Sequence, residues 1–114
     1  MDTFEVARTI VDALEDKKGE DIMLIDIQEI AIFAEYFVIC SGTSDRMIRT
    51  LAESAVEQVK KEFDLRGRVE GAPQDGWLLV DFGDIILHVF SPDRRDYYRL
   101  EDLWSSGKVL LRLQ

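Results

Sequence analysis

The chain has 114 residues, 46% hydrophobic and 32% charged, the size and composition of one globular domain that can bury a core without staples. Its 14 Lys and Arg against 23 Asp and Glu give a net charge of −9, which excludes nonspecific binding to phosphate backbones and favours a basic protein partner. A single cysteine, Cys40, excludes an internal disulfide, no apolar run approaches membrane-spanning length, and the acid-rich start is unlike a signal or transit peptide, so a cytoplasmic location is expected.

Residues 2–18 read as an amphipathic helix, with Asp2 as cap, Glu5 three residues on, and Phe4, Ala7, Ile10, Val11 and Leu14 on one stripe. Gly19 closes it after Lys17 and Lys18. Ile22–Ile27 reads as a buried strand, Gln28–Glu35 as an irregular connection, and Tyr36–Ser41 as a second strand rich in aromatic and β-branched residues. Gly42-Thr43-Ser44-Asp45 combines a tight turn with side-chain oxygens suited to capping a helix. That helix runs to about Phe63, its apolar stripe formed by Met47, Ile48, Leu51, Ala52, Ala55, Val56, Val59 and Phe63.

Arg68-Val69-Glu70 reads as a short strand and Ala72–Gly76 as a turn. Two strands follow, Trp77–Phe82 and Ile85–Phe90, joined by Gly83-Asp84. A two-residue loop with glycine first suits a primed turn and fixes the register: Phe82 faces Ile85, Val80 faces Leu87, and Leu78 faces Val89. Those six share one side, which reads as core. The other side carries Trp77, Leu79, Asp81, Ile86, His88 and Phe90, apolar but decorated, as a binding face is. Ser91 then caps a helix with Pro92 in its first position, running towards Leu103-Trp104 until Ser105-Ser106-Gly107 breaks it. Trp104 is expected to pack that helix down; Val109–Leu113 is apolar without a decisive pattern. The order implies a single α/β domain over residues 1–114. Its mixed, mostly five-stranded sheet carries helices, with at least one parallel pair joined through a long-helix crossover.

Strand, Gly-Ser turn, helix, then a strand with an acid is the order found in nucleotidyltransferases, where two carboxylates two residues apart hold Mg²⁺. Here the acids are Asp81 and Asp84, three apart and split by the glycine turn, so the shape is kept without the metal clamp. The GTSDR turn lacks a phosphate-loop signature and reads as turn and cap. His88 has no second histidine or free thiol beside it, and Asp81 lies diagonally across the hairpin, which suits a hydrogen-bonded structural or interface histidine. Cys40, in a strand with no flanking base, reads as core. Trp77 facing Phe90 beside Leu79 has the composition of an interface anchor, with Arg94, Arg95, Tyr97 and Tyr98 extending its rim.

Three ordered segments, YFVICSGTSDRMIRTLA, GWLLVDFGDIILHVF and RRDYYRLEDLW, together resemble the ribosomal silencing factor (Iojap-like) family from about Ile22 to Trp104. The resemblance implies a nucleotidyltransferase-like shape without that activity. It also implies binding to the large ribosomal subunit through ribosomal protein L-fourteen, which blocks subunit joining and lowers translation when nutrients are scarce. Members are often homodimers. By motif, the partner surface comprises Trp77, Leu79, Asp81 and His88 of the hairpin and Arg95 and Tyr98 of the RxxY element. Members often carry His or Gln where this chain has Met47. No cofactor, metal or catalytic residue is expected. The rival functions are a large-subunit assembly factor using the same face and a metal-dependent nucleotidyltransferase using Asp81 and Asp84.

Overall fold

The computed structural model describes residues 2–103 and 106–114. Asp2 starts helix α1 (Thr3–Asp16) by accepting a hydrogen bond from the Phe4 amide at 3.0 Å. Val6, Ala7, Ile10, Val11, Ala13 and Leu14 are buried along it, whereas Phe4, expected in that stripe, lies at the rim edge-on to Tyr36. The left-handed residue that ends the helix is Lys18 (φ 64) rather than Gly19. Strand β1 (Glu20–Asp26) follows, then β2 (Tyr36–Ser41). Ser44 caps helix α2 (Asp45–Phe63), accepting from the Met47 amide at 3.0 Å. The stripe buries Ile48, Leu51, Ala52, Ala55 and Val59, with Met47, Val56 and Phe63 packed around them.

Strand β3 (Arg68–Ala72) and a single 3₁₀ turn, Pro73–Asp75, lead into the hairpin of β4 (Trp77–Asp81) and β5 (Ile85–Phe90). The hairpin register is the expected one: Leu78 opposite Val89, Val80 opposite Leu87, and the Phe82 amide donating to the Ile85 carbonyl at 2.9 Å. Gly83 takes the positive φ (94°) that the turn demands. Ser91 caps helix α3 (Pro92–Tyr98). The expected run to Leu103 is interrupted: Arg99 adopts φ 49, and Leu100–Leu103 forms a separate short helix, α4. The packing expected of Trp104 lies outside the described residues.

Among the described residues the sheet has six strands in the order β3-β4-β5-β2-β1-β6, one more than expected. The addition is β6 (Lys108–Leu113), antiparallel to β1, which would otherwise leave its outer amides and carbonyls unpaired. Leu111 and Leu113 point into the core while Val109 and Leu110 stay exposed, so the ladder, rather than alternation alone, places this strand. β2 and β5 run parallel, and α2 lies on the crossover between them. All six β2 residues are buried, as befits a central strand covered on both faces.

One face packs against α1 and α2. There Leu78, Val80, Phe82, Ile85, Leu87 and Val89 join Ile10, Leu14, Leu51 and Val59 in the main core. The opposite face is not uniformly open. Met23, Ile25, Ile27, Phe37, Ile39 and Phe90 form a smaller core, with Trp77, Ile86 and Leu100 packed at its margin. The sheet therefore has a buried floor on that face, and one end of it remains accessible.

Candidate functional site: an aromatic groove at the sheet edge

The accessible end is a groove of about 370 Å³ between β3, β4 and α3. Trp77 and Leu79 line it from β4, Glu70 and Ala72 from β3, and Arg94 and Tyr98 from α3. Strand pairing explains the grouping: Glu70 stands opposite Leu79 and Ala72 opposite Trp77, so period two puts all four on one face. The helix comes close enough to form the other wall because Gly76 (φ 76) has no side chain. A Cβ there would lie 2.6 Å from Arg94 Cγ and 2.7 Å from Ser91 Oγ. The Ser91 amide donates to the Gly76 carbonyl at 2.9 Å and fixes the start of α3 against β4.

Trp77 is the centre of the groove. It is half-buried, stacked on Phe90 at 5.0 Å between centroids, with Tyr98 at 4.7 Å on a tilted plane. Phe90 is fully buried and Tyr98 is 37% exposed, so the cluster grades from floor to surface. Tyr97, well exposed, meets Tyr98 edge-on at 5.0 Å. The indole Nε1–H of Trp77 donates to His88 Nδ1 at 3.2 Å. His88 is only 5% exposed. Burial alone pushes its imidazole pKa down to about 4, so the ring is neutral at physiological pH. Its Nε2 is buried with no hydrogen-bond partner among the described residues.

The expected surface residues therefore separate by depth. Trp77, Leu79 and Tyr98 meet in the groove. His88 lies beneath it and, contrary to its expected contact with Asp81, takes its hydrogen bond from Trp77. Asp81 is occupied elsewhere: one oxygen accepts from the Gly83 amide at 2.8 Å, the other pairs with Arg68 at 3.4 Å. It braces the hairpin turn.

Arg95 departs furthest from the sequence expectation. It is 6% exposed rather than part of a solvent rim. Its guanidinium donates to the Asp21 carbonyl at 2.6 Å and to Ser41 Oγ at 2.9 Å, and pairs with Asp21 and Glu101, each at 3.4 Å. The physical reason is helical phase. Arg94 and Tyr98, four residues apart, face the groove, which turns Arg95 towards the carboxyl end of β2.

Two other candidates resolve as structure. In the GTSDR turn, Ser44 caps α2, and the Thr43 amide and hydroxyl lie 3.3 and 3.4 Å from the Met47 sulfur. Cys40 is fully buried, and burial pushes its thiol up to about 12. Among the described residues no cluster of three or more His, Cys, Asp or Glu is placed to hold a metal ion. No helix among them is long and apolar enough to cross a membrane. Glu70 and Asp75 on the groove wall were missed by sequence reasoning. Glu70 lay inside the expected 68–70 strand, and only that strand's pairing with β4, Glu70 opposite Leu79, places it on the groove; nothing local marks Asp75.

The family model described as ribosomal silencing factor during starvation matches residues 1–113. The ribosomal silencing factor RsfS of Bacillus subtilis is 36% identical over 109 residues, spanning 96% of this chain and 92% of that protein. A mouse protein named mitochondrial assembly of ribosomal large subunit protein 1 is 34% identical over 99 residues, 84% of this chain but 43% of its own length. A crystal structure of a Chromobacterium violaceum protein superposes with a TM-score of 0.87 at 34% identity, covering 92% of this chain and 88% of that one. The groove thus belongs to a fold already known in solved relatives, and the chain is a member of the ribosomal silencing factor family.

Proposed function

We propose that this chain is a non-enzymatic, cytoplasmic repressor of translation. It binds the large ribosomal subunit through ribosomal protein L-fourteen and, by occupying that position, keeps the small subunit from joining when nutrients are limiting. The observation that carries the reading is the half-open groove of Trp77, Leu79 and Tyr98 over a buried aromatic floor, in a chain of the silencing family. Aromatic anchors set beside a packed floor are what protein interfaces use for affinity, and the −9 charge steers the domain towards a basic partner. Occupancy needs no chemistry: a Kd of about 10 nM corresponds to about −11 kcal/mol, within reach of a standard interface.

The position of Arg95 supports the same reading. In open α/β sheets, ligands sit beyond the carboxyl ends of parallel strands. At the end of β2 that space holds the Arg95 guanidinium, and Asp81 is tied to the turn and to Arg68. A nucleotidyltransferase using Asp81 and Asp84 predicts Mg²⁺-dependent nucleotide binding; the repressor predicts none. A role in large-subunit assembly is the second reading, favoured by the name of the mouse relative. A homodimer of the free chain belongs to the proposal as well, checked by sedimentation equilibrium.

The deciding experiment is co-sedimentation of the purified chain with large subunits, small subunits and joined ribosomes, followed by a subunit-joining assay. Repression predicts binding to large subunits alone, direct capture by purified L-fourteen, and inhibition of joining between mature subunits. Binding without inhibition favours assembly. No binding to any of them overturns both readings.

A further inference from the structure

Stacking on Phe90 sets the plane of the Trp77 ring but would be kept if the indole turned over by about 180° around its Cβ–Cγ bond. The hydrogen bond from Nε1 to His88 removes that turn and decides which edge of the indole faces the groove. We infer that His88 is the positioning residue of this surface: buried itself, it acts on partner binding through the orientation of Trp77. The inference rests on the groove being the ribosome-facing surface proposed above.

The hydrogen positions follow from elementary chemistry. An indole N–H only donates, so His88 Nδ1 is the bare acceptor and Nε2 carries the hydrogen. That Nε2 is buried without a hydrogen-bond partner among the described residues. A phenylalanine would fill the same slot between Phe37 and Phe90 without stranding a donor. Retaining a ring nitrogen there makes sense through the work of the other nitrogen. Nor is His88 arranged as a catalytic base: the acid on its face, Asp81, is engaged by the Gly83 amide and Arg68. At 5% exposure the imidazole offers a partner almost no surface, whereas Trp77 and Tyr98 offer theirs.

The test combines spectroscopy of the free chain with binding to large subunits. Nitrogen NMR of His88 should report the Nε2–H tautomer at neutral pH, with the Trp77 indole proton slow to exchange. His88→Phe keeps a ring and removes the acceptor. It should fold, speed indole exchange, and weaken binding about tenfold. His88→Asn, whose amide oxygen falls near the Nδ1 position, should recover most of that loss. In a Trp77→Phe background, which has no N–H to hold, His88→Phe should change affinity no further. The opposite tautomer, or the same loss in both backgrounds, overturns the inference. Should His88→Phe fail to fold, the tautomer and the Asn variant decide the matter. A native chain that binds no large subunits overturns the ribosome reading, while the tautomer and indole exchange still decide whether His88 sets Trp77.

Discussion

Trp77 is braced from below by Phe90 and held at one edge by His88, so its loss removes a shaped wall of the groove while leaving the β4–β5 ladder in place. Trp77→Ala should weaken binding to large subunits by about 2 kcal/mol, roughly thirtyfold, with an unchanged far-ultraviolet circular dichroism spectrum. Undiminished binding would place the interface elsewhere. His88 makes a second prediction at this scale. Its folded pKa of about 4 lies below the value of an exposed imidazole, about 6.5, so on acidification the unfolded chain takes up the proton first. The stabilisation is complete above about pH 6.5 and is lost as pH falls towards 4; at pH 5 the loss is about 2 kcal/mol. Carboxylates titrate in the same range, so the contribution is read as the difference between native and His88→Phe chains in urea unfolding at pH 7 and pH 5. If the two chains lose equal stability, the buried imidazole accepts its proton in place.

At the scale of elements, α3 starts on the Ser91–Gly76 hydrogen bond beside β4 and is tied to β1 and β2 by one side chain. Arg95 reaches from the helix to the Asp21 carbonyl and Ser41 Oγ, while Asp21 itself sits in the left-handed region (φ 46) and its carboxylate accepts from Nε and Nη2 of Arg112 on β6, each at 3.0 Å. The network ties α3, α4, β1, β2 and β6 together. Arg95→Met fills the volume but leaves Glu101 without its cation and the Asp21 carbonyl without its donor, the Asp21 carboxylate staying with Arg112, and should cost about 3 kcal/mol in urea unfolding. A drop well under 1 kcal/mol would mean that apolar packing alone seats α3. Sequence periodicity could not reveal this. The 3.6 repeat makes α1 and α2 legible, and alternation with a glycine turn makes the β4–β5 register legible, because both patterns report one face against one core. Arg95 reads locally as one polar residue among RRDYY; only the fold brings it to Asp21, seventy-four residues away. β6 was equally opaque, since its place is set by the open edge of β1 and not by its own pattern. The groove was legible in part: Trp77 and Leu79 declared themselves by contrast with the core side of their strand, while the β3 wall depended on a pairing that short strands do not announce.

For the whole molecule the governing quantity is charge. A domain at −9 meeting a basic partner is drawn in over a distance set by ionic strength, whereas an apolar, aromatic groove releases its partner at a rate set by contact. The two halves of the interaction should therefore separate under salt. The Debye length falls from about 10 Å at 0.1 M to about 3 Å at 1 M, so charges outside the contact stop acting on the approach while those contacts persist. Stopped-flow association with purified L-fourteen should show the association rate falling about tenfold between 0.1 and 0.5 M salt, with dissociation nearly constant. Trp77→Ala should do the reverse, speeding dissociation and leaving the salt dependence of association intact. If dissociation carries the salt dependence instead, ion pairs such as those available to Glu70, Asp75 and Arg94 at the groove hold the complex, and the aromatic centre only shapes it.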